Sequence, residues 1–307
     1  MTGKVYVIRT VAGWDDPRLF TISGLRKRGI PLGALNEFLD SIPVTRRGND
    51  NYIQMAKFDH VVKGYLDKVC PRMMAVSDPI PVMILNIKST QQCTAPSFPS
   101  DTSKGGYTAN CSALVYLERN DFENQSDNVR GSSRGISVGS LIRLKYGPLL
   151  LVNKIETHSN GVVSSASAEL VDQELISNED KKRKVVHWVS KDDAIPCQIN
   201  MYERLFLVEK PAQPADDISQ RKAEMNPNSL TVYDQALINK SVLNQVRTQG
   251  RFQFERLGYF SVDQDLSDLD KDKLVFNRIL ESQPRKSPTA PLSPRDQPHT
   301  VTCKFNN

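Results

Sequence analysis

Apolar positions along this chain keep two different rhythms, and the change falls at Pro71. Before it the spacing is helical. Asp15 or Asp16 suits the N-cap of a first helix and Pro17 its first turn. Ile22 and Leu25 continue an apolar face. Arg26, Lys27 and Arg28 complement the negative end of the helix dipole, and Gly29 suits a left-handed cap. A second helix is predicted from Pro31, with Leu32, Leu35, Phe38, Leu39 and Ile42 on one stripe. A third follows Asp50 or Asn51, carries Phe58, Val61, Val62, Tyr65, Leu66 and Val69 at helical spacing, and ends at Pro71.

After Pro71 the runs become short and alternating. Val82–Leu85, Ala113–Leu117, Leu141–Leu144, Leu149–Val152, Val162–Val163, Val185–Val189 and Ile199–Tyr202 are separated by turn residues, which predicts an all-β sandwich or barrel. No alternation of strands with long helices points to a parallel nucleotide-binding sheet. Gly-x-x-x-x-Gly-Lys and Gly-x-Gly-x-x-Gly motifs are absent. Ser89 to Asn110 and Asn178 to Lys184 read as loops, and residues 282–307, rich in Ser, Thr and Pro, read as a disordered tail. No internal repeat is visible by eye.

Composition narrows the chemistry. A length of 307 residues with 39% hydrophobic residues is enough for two or three compact units. No run approaches the ~20 apolar residues of a membrane helix, and no secretory pattern opens the chain. The expectation is a cytoplasmic protein with no membrane partner. Five cysteines without a Cys-x-x-Cys pair, and four scattered histidines, point away from a disulfide framework and from a metal site. The net charge of +5 permits a polyanionic partner, and only local clustering decides whether there is one.

Three stretches carry the residue types an RNA reader needs, cations for phosphates and forked or amide groups for base edges. Val129 to Gly139 is a small-residue loop containing Arg134, and it leads into Arg143 and Lys145, two apart on a predicted strand and so on one face. Phe252 to Phe260 alternates, with Phe252, Phe254 and Arg256 on one side and Gln253 and Glu255 on the other. Arg72 follows the Cys70-Pro71 corner. Each has a plain alternative: a solvated strand face, a core aromatic pair with a surface ion pair, an arginine touching nothing. The run Lys181 to Lys184 is a solvated loop, at most a non-specific phosphate contact.

An ordered series of motifs adds a resemblance. Gly13-Trp14-Asp15-Asp16-Pro17-Arg18, Ala75-Val76-Ser77-Asp78-Pro79, Tyr116-Leu117-Glu118-Arg119-Asn120-Asp121-Phe122, Val186-His187-Trp188-Val189-Ser190, Tyr202-Glu203-Arg204-Leu205-Phe206, the Phe252–Phe260 stretch and Val275-Phe276-Asn277-Arg278 resemble the class I glutaminyl- and glutamyl-tRNA synthetases, in that family's order. The motifs around Trp188 and Gln253 resemble the glutaminyl branch. The resemblance implies a helical stem-contact subdomain over residues 1–70, with Trp14, Asp15, Asp16, Arg18, Arg26, Lys27 and Arg28 toward the tRNA stem. It implies two antiparallel β-barrels over 71–281, a distal one of roughly 131–186 with 228–260 and a proximal one from the remainder. Anticodon contacts then fall on Arg72, Arg134, Arg143, Lys145, Gln253, Glu255 and Arg256.

The same resemblance implies a glutamine-specific tRNA as partner, admits a multi-synthetase assembly, and reserves ATP with Mg for a full-length enzyme. The family's His-Ile-Gly-His signature and lysine loop have no counterpart here, so no catalytic residue is assigned and the chain is not expected to be active alone. A stand-alone RNA-binding or scaffold protein, and the glutamyl relative, are the alternatives. Four local departures matter. Lys145 replaces an expected arginine, and Gly135 replaces a basic residue. Pro96-Ser97-Phe98-Pro99 stands for Pro-Asn-His-Pro. The ending Ile279-Leu280-Glu281-Ser282 predicts a shortened last strand.

Overall fold

The computed structural model describes residues 11–42, 53–122, 135–171, 184–208, 222–246, 250–268 and 273–282. It consists of a small helical unit packed on two barrel-like sheets of seven strands each, the mainly-β architecture expected. Residues 283–307 of the expected tail lie outside the described residues, as do Asp50 and Asn51.

The helical unit is α1 (Ile22–Arg28), α2 (Leu32–Asp40) and α3 (Met55–Val69). Helix α1 starts later than the Asp15–Pro17 signal suggests. Its cap is Thr21, whose Oγ1 accepts from Gly24 N at 2.9 Å. Asp16 is unavailable as a cap because its carboxylate accepts from Ala12 N and Arg18 N, both at 3.0 Å, and from the Arg18 guanidinium. Gly29 takes the predicted left-handed cap, φ 97°, and lies so close to Ser261 that a Cβ would sit 2.1 Å from that residue's own. The predicted stripe of α2 is only partly inward. Ala34 is buried, with Leu35 and Phe38 beside the core, while Leu32 and Leu39 are 73% and 60% exposed. Phe58, Val62 and Leu66 of α3 join Ile30, Ala34, Cys70, Tyr259, Ile279 and Leu280 in one cluster, which fixes the helices to a sheet.

That first sheet orders β1 (Arg72–Met73), β14 (Arg251–Phe254), β15 (Gly258–Val262), β16 (Leu274–Leu280), β12 (Ala194–Tyr202), β13 (Leu230–Asn239) and β2 (Ala75–Val76). The second orders β10 (Lys184–Val186), β7 (Leu141–Leu144), β8 (Leu149–Thr157), β9 (Val163–Val171), β3 (Pro79–Ile84), β6 (Leu114–Glu118) and β11 (Trp188–Ser190). A separate hairpin, β4 (Gln91–Pro96) with β5 (Gly106–Cys111), forms inside the stretch read as a loop. Strand β16 runs to Leu280 with all seven residues buried, and Ile279 and Leu280 pack in the cluster beneath the helices.

In each sheet the two edge strands are consecutive in the chain. β1 and β2 are separated only by Met74, and β10 and β11 only by His187. One kinked segment therefore closes each barrel, pairing parallel with one neighbour before the kink and antiparallel with the other after it. Around the two rings the pairing senses run identically: parallel, two antiparallel, parallel, two antiparallel. The barrels are two copies of one topology, and each copy's leading segment closes the other copy's barrel. The pairing therefore corrects the expected grouping: β13, β14 and β15, from the 228–260 stretch, join β12 and β16, while β7, β8, β9 and β10, from the 131–186 stretch, join β3, β6 and β11.

Candidate nucleic-acid interface

The equivalence of the barrels brings the predicted residues together. β7 and β14 are counterparts, each pairing with a closing segment and then turning into β8 or β15. Ile142, Arg143, Leu144, Lys145 and Tyr146 thus match Phe252, Gln253, Phe254, Glu255 and Arg256. Lys145 N donates to Val186 O at 2.9 Å, and Glu255 N donates to Met73 O at 3.2 Å. Tyr146 (φ 61°) and Arg256 (φ 68°) are the only non-glycine residues with positive φ among those described. Such strain persists where surrounding contacts hold it, often at functional sites. Alternation stops at Phe254, so Glu255 is buried in a turn and Arg256 points to solvent, contrary to the two-sided pattern expected.

The two turns meet. Lys145 Nζ contacts Glu255 Oε2, and the Tyr146 hydroxyl donates to Glu255 Oε1 at 3.2 Å. Arg72 Nε donates to Gln253 Oε1 at 3.0 Å across paired strands. Arg256 forms a two-pronged pair with Asp121, Nη1 to Oδ2 at 2.8 Å and Nη2 to Oδ1 at 2.7 Å. Lys184 Nζ lies 3.2 Å from the same carboxylate and donates to the Asp121 carbonyl at 2.8 Å. Four cations thus face two carboxylates at the junction, an excess that suits a polyanion.

Charges at the junction perturb one another. Burial, followed by the positive charges of Arg72 and Arg256, lowers the Lys145 pKa, and Glu255 supplies its counter-charge. Asp121 stays ionised below the usual carboxylate range: burial opposes this, but Arg256 and Lys184 outweigh it. His187, at the kink of the closing segment, is pushed down to about 3 by burial and by Lys145 and Arg256. It is neutral. Glu255 Oε2 lies 3.6 Å from its Nε2, beyond hydrogen-bond reach, and neither ring nitrogen has a hydrogen-bond partner among the described residues. Trp188 next to it anchors the opposite turn, donating from Nε1 to Lys145 O at 2.9 Å.

Of the residues predicted to read bases, Arg72, Lys145, Gln253, Glu255 and Arg256 lie in or beside this cluster. Arg143 stands on β7, half-buried, without a side-chain hydrogen bond or ion pair among the described residues. Arg134 lies outside the described residues, as do Lys181, Lys182 and Arg183 of the basic run. Ser97 is buried, and its backbone carbonyl accepts from Arg72 N at 2.7 Å. Reading the sequence missed Asp121, Tyr146 and His187, and left Lys184 in a solvated run rather than beside Asp121. Asp121 and His187 stood inside the quoted motifs, but nothing in the pattern said which motif residues would meet.

The predicted stem-contact set divides. Trp14 is 56% exposed, Arg26 is exposed, and Lys27 pairs at the surface with Asp15 at 2.8 Å. Asp16 and Arg18 are committed inward, and Arg18 Nη1 reaches Ser229 Oγ at 2.9 Å. The Arg28 guanidinium is enclosed and donates from Nε to Ile279 O at 2.9 Å, so it docks α1 on β16. Burial lowers its pKa, with Asp59 opposing, yet an arginine remains charged.

Two family models, both described as tRNA synthetases class I (E and Q), anti-codon binding domain, match the chain, one over residues 70–171 and the other over residues 185–263. Glutamine–tRNA ligase of Photobacterium profundum is 34% identical over 274 residues, which is 88% of this chain and 47% of that protein. Its counterpart in Proteus mirabilis is 35% identical over 274 residues, 88% of this chain and 47% of that protein. A protein of Dictyostelium discoideum named probable glutamine–tRNA ligase is 35% identical over 283 residues, 91% of this chain and 34% of that protein. The chain spans about half the length of the bacterial relatives it matches.

Proposed function

We propose that this chain, which belongs to the class I (E and Q) tRNA synthetases through their anticodon-binding domain, is the tRNA-binding and anticodon-reading portion of a glutaminyl-tRNA synthetase. The observation that carries the reading is the junction where Lys145 meets Glu255 and Arg256 meets Asp121. Cations with fixed orientations, beside the half-buried amide of Gln253, suit splayed single-stranded bases, whose edges are open to side-chain hydrogen bonds. Arg143 supplies a fork with no hydrogen-bond or ion-pair partner among the described residues. The exposure of Trp14, Asp15 and Arg26, and of Lys27 beside them, supports contact of the helical unit with the tRNA stem.

The complete protein would activate glutamine with ATP and Mg and transfer it to tRNA in the cytoplasm. Those ATP and Mg contacts are proposed for the complete protein, and none is proposed for a residue of this chain. The test is binding of the chain to glutamine-specific tRNA and to an anticodon-substituted version at two salt concentrations. Preference for the native anticodon supports the reading. Equal, steeply salt-dependent binding of both would reduce the function to phosphate attraction and sink it.

A further inference from the structure

Arg256 is held at both ends. Its backbone occupies the left-handed region directly after the buried Glu255, and its guanidinium tip is clamped by Asp121, 135 residues away on the other barrel. Asp121 has no exposed surface, sits in the short turn after β6, and is steadied by Lys184 on β10 and by Ile136 N, which donates to its carbonyl at 2.8 Å. The clamp uses two of the five N–H donors of the guanidinium. The Arg256 side chain is nevertheless 46% exposed. Among the described residues its remaining donors have no hydrogen-bond partner, which leaves them to a ligand in one orientation.

A site built only to attract phosphate gains nothing from a buried carboxylate, which cancels charge the RNA would otherwise meet. A site built to read a base gains from it, because a fork must be aimed to discriminate and a mobile arginine is only a point charge. We propose that Asp121 is a specificity-setting positioning residue that aims the Arg256 guanidinium at one unpaired RNA base. This inference rests on the anticodon-reading function proposed above.

The experiment measures binding of wild type, Asp121→Asn, Arg256→Lys and the double variant to glutamine-specific tRNA and to an anticodon-substituted tRNA, at two salt concentrations. A wild type without preference overturns the anticodon-reading function itself. Given a wild-type preference, Asp121→Asn is expected to shrink it by about fivefold or more. The native tRNA should bind more weakly while the substituted one binds as well or better. A retained preference in Asp121→Asn, or an equal loss for both RNAs, overturns the role of Asp121. The double variant should lose no more preference than Arg256→Lys alone, and an additive loss would count against the clamp. Should Asp121→Asn not fold, Arg256→Lys decides, since it keeps the charge and removes the fork. Wild-type preference in that variant overturns the proposal.

Discussion

Lys145 and Glu255 hold the same position in the two barrels, each one residue past its strand, and they contact each other. The duplicated turn thus carries opposite charges in its two copies, and the pair ties the barrels together at the centre of the proposed RNA site.

Breaking this pair on one side leaves a charge without its partner. Glu255→Ala places Lys145 beside Arg72 and Arg256 with no anion. The cost is expected near the lower end of the about 3–5 kcal/mol typical of a broken buried pair, since the Lys145 side chain keeps 24% of its surface in water. The double variant Lys145→Met/Glu255→Leu should recover most of that loss. Urea unfolding checks it, read as a shift of midpoint at unchanged slope.

Gly29 joins α1 to β15 at van der Waals contact. Gly29→Ala is expected to destabilise well beyond the about 1 kcal/mol of a conformational penalty, because its φ is 97° and the added Cβ would sit 2.1 Å from Ser261 Cβ. Gly161→Ala is the control. Its φ is 78° but the space around it is open, so only the backbone penalty applies. Equal losses of thermal stability in the two variants would refute the packing argument.

Much of this architecture was legible in the sequence, and the illegible part has a physical cause. Leu141–Leu144 and the left-handed cap at Gly29 were readable because apolar period and cap chemistry are local. The duplication was not. The copies share register and turn geometry while differing in residues, as Ile142 and Phe252, Arg143 and Gln253, or Tyr146 and Arg256 show. Exchange of the closing segments hid it further, since Trp188 pairs with Leu117 and Ala75 with Ile238, across the whole region. β1 and β2 are too short to show alternation. Asp16 and Arg28 carried surface-contact chemistry in sequence, yet the structure uses them inside, because each found an internal partner.

Two buried groups should give stability opposite pH dependences. Burial pushes Glu118 up to about 7, although Ser77 N, Ser77 Oγ and Asp78 N all donate to it. Its folded pKa lies above the ordinary 4.5, so its contribution is full below pH 4.5 and is lost as pH rises through about 7. His187, lowered from 6.5 to about 3, contributes stability present above 6.5 and lost as pH falls toward 3. Glu118→Gln should therefore remove a component that falls with rising pH, and His187→Gln one that rises. Urea midpoints from pH 4 to 8 measure both, and parallel changes in the two variants would contradict the assignment.

Arg143 and Arg28 separate recognition from architecture. Arg143 makes no side-chain hydrogen bond or ion pair among the described residues, so Arg143→Ala should leave thermal stability close to wild type. Removing a base-reading fork should weaken binding of glutamine-specific tRNA by about 1–3 kcal/mol and narrow the gap to an anticodon-substituted tRNA. Arg28 is enclosed against Ile279, so Arg28→Ala should lower stability by loosening α1. Its anticodon preference should persist at temperatures where the variant is folded, because the junction lies on the barrels rather than on the helices. Reversal of this pattern, with Arg28→Ala erasing the preference and Arg143→Ala keeping it, would move the reading surface from the barrels to the helical unit.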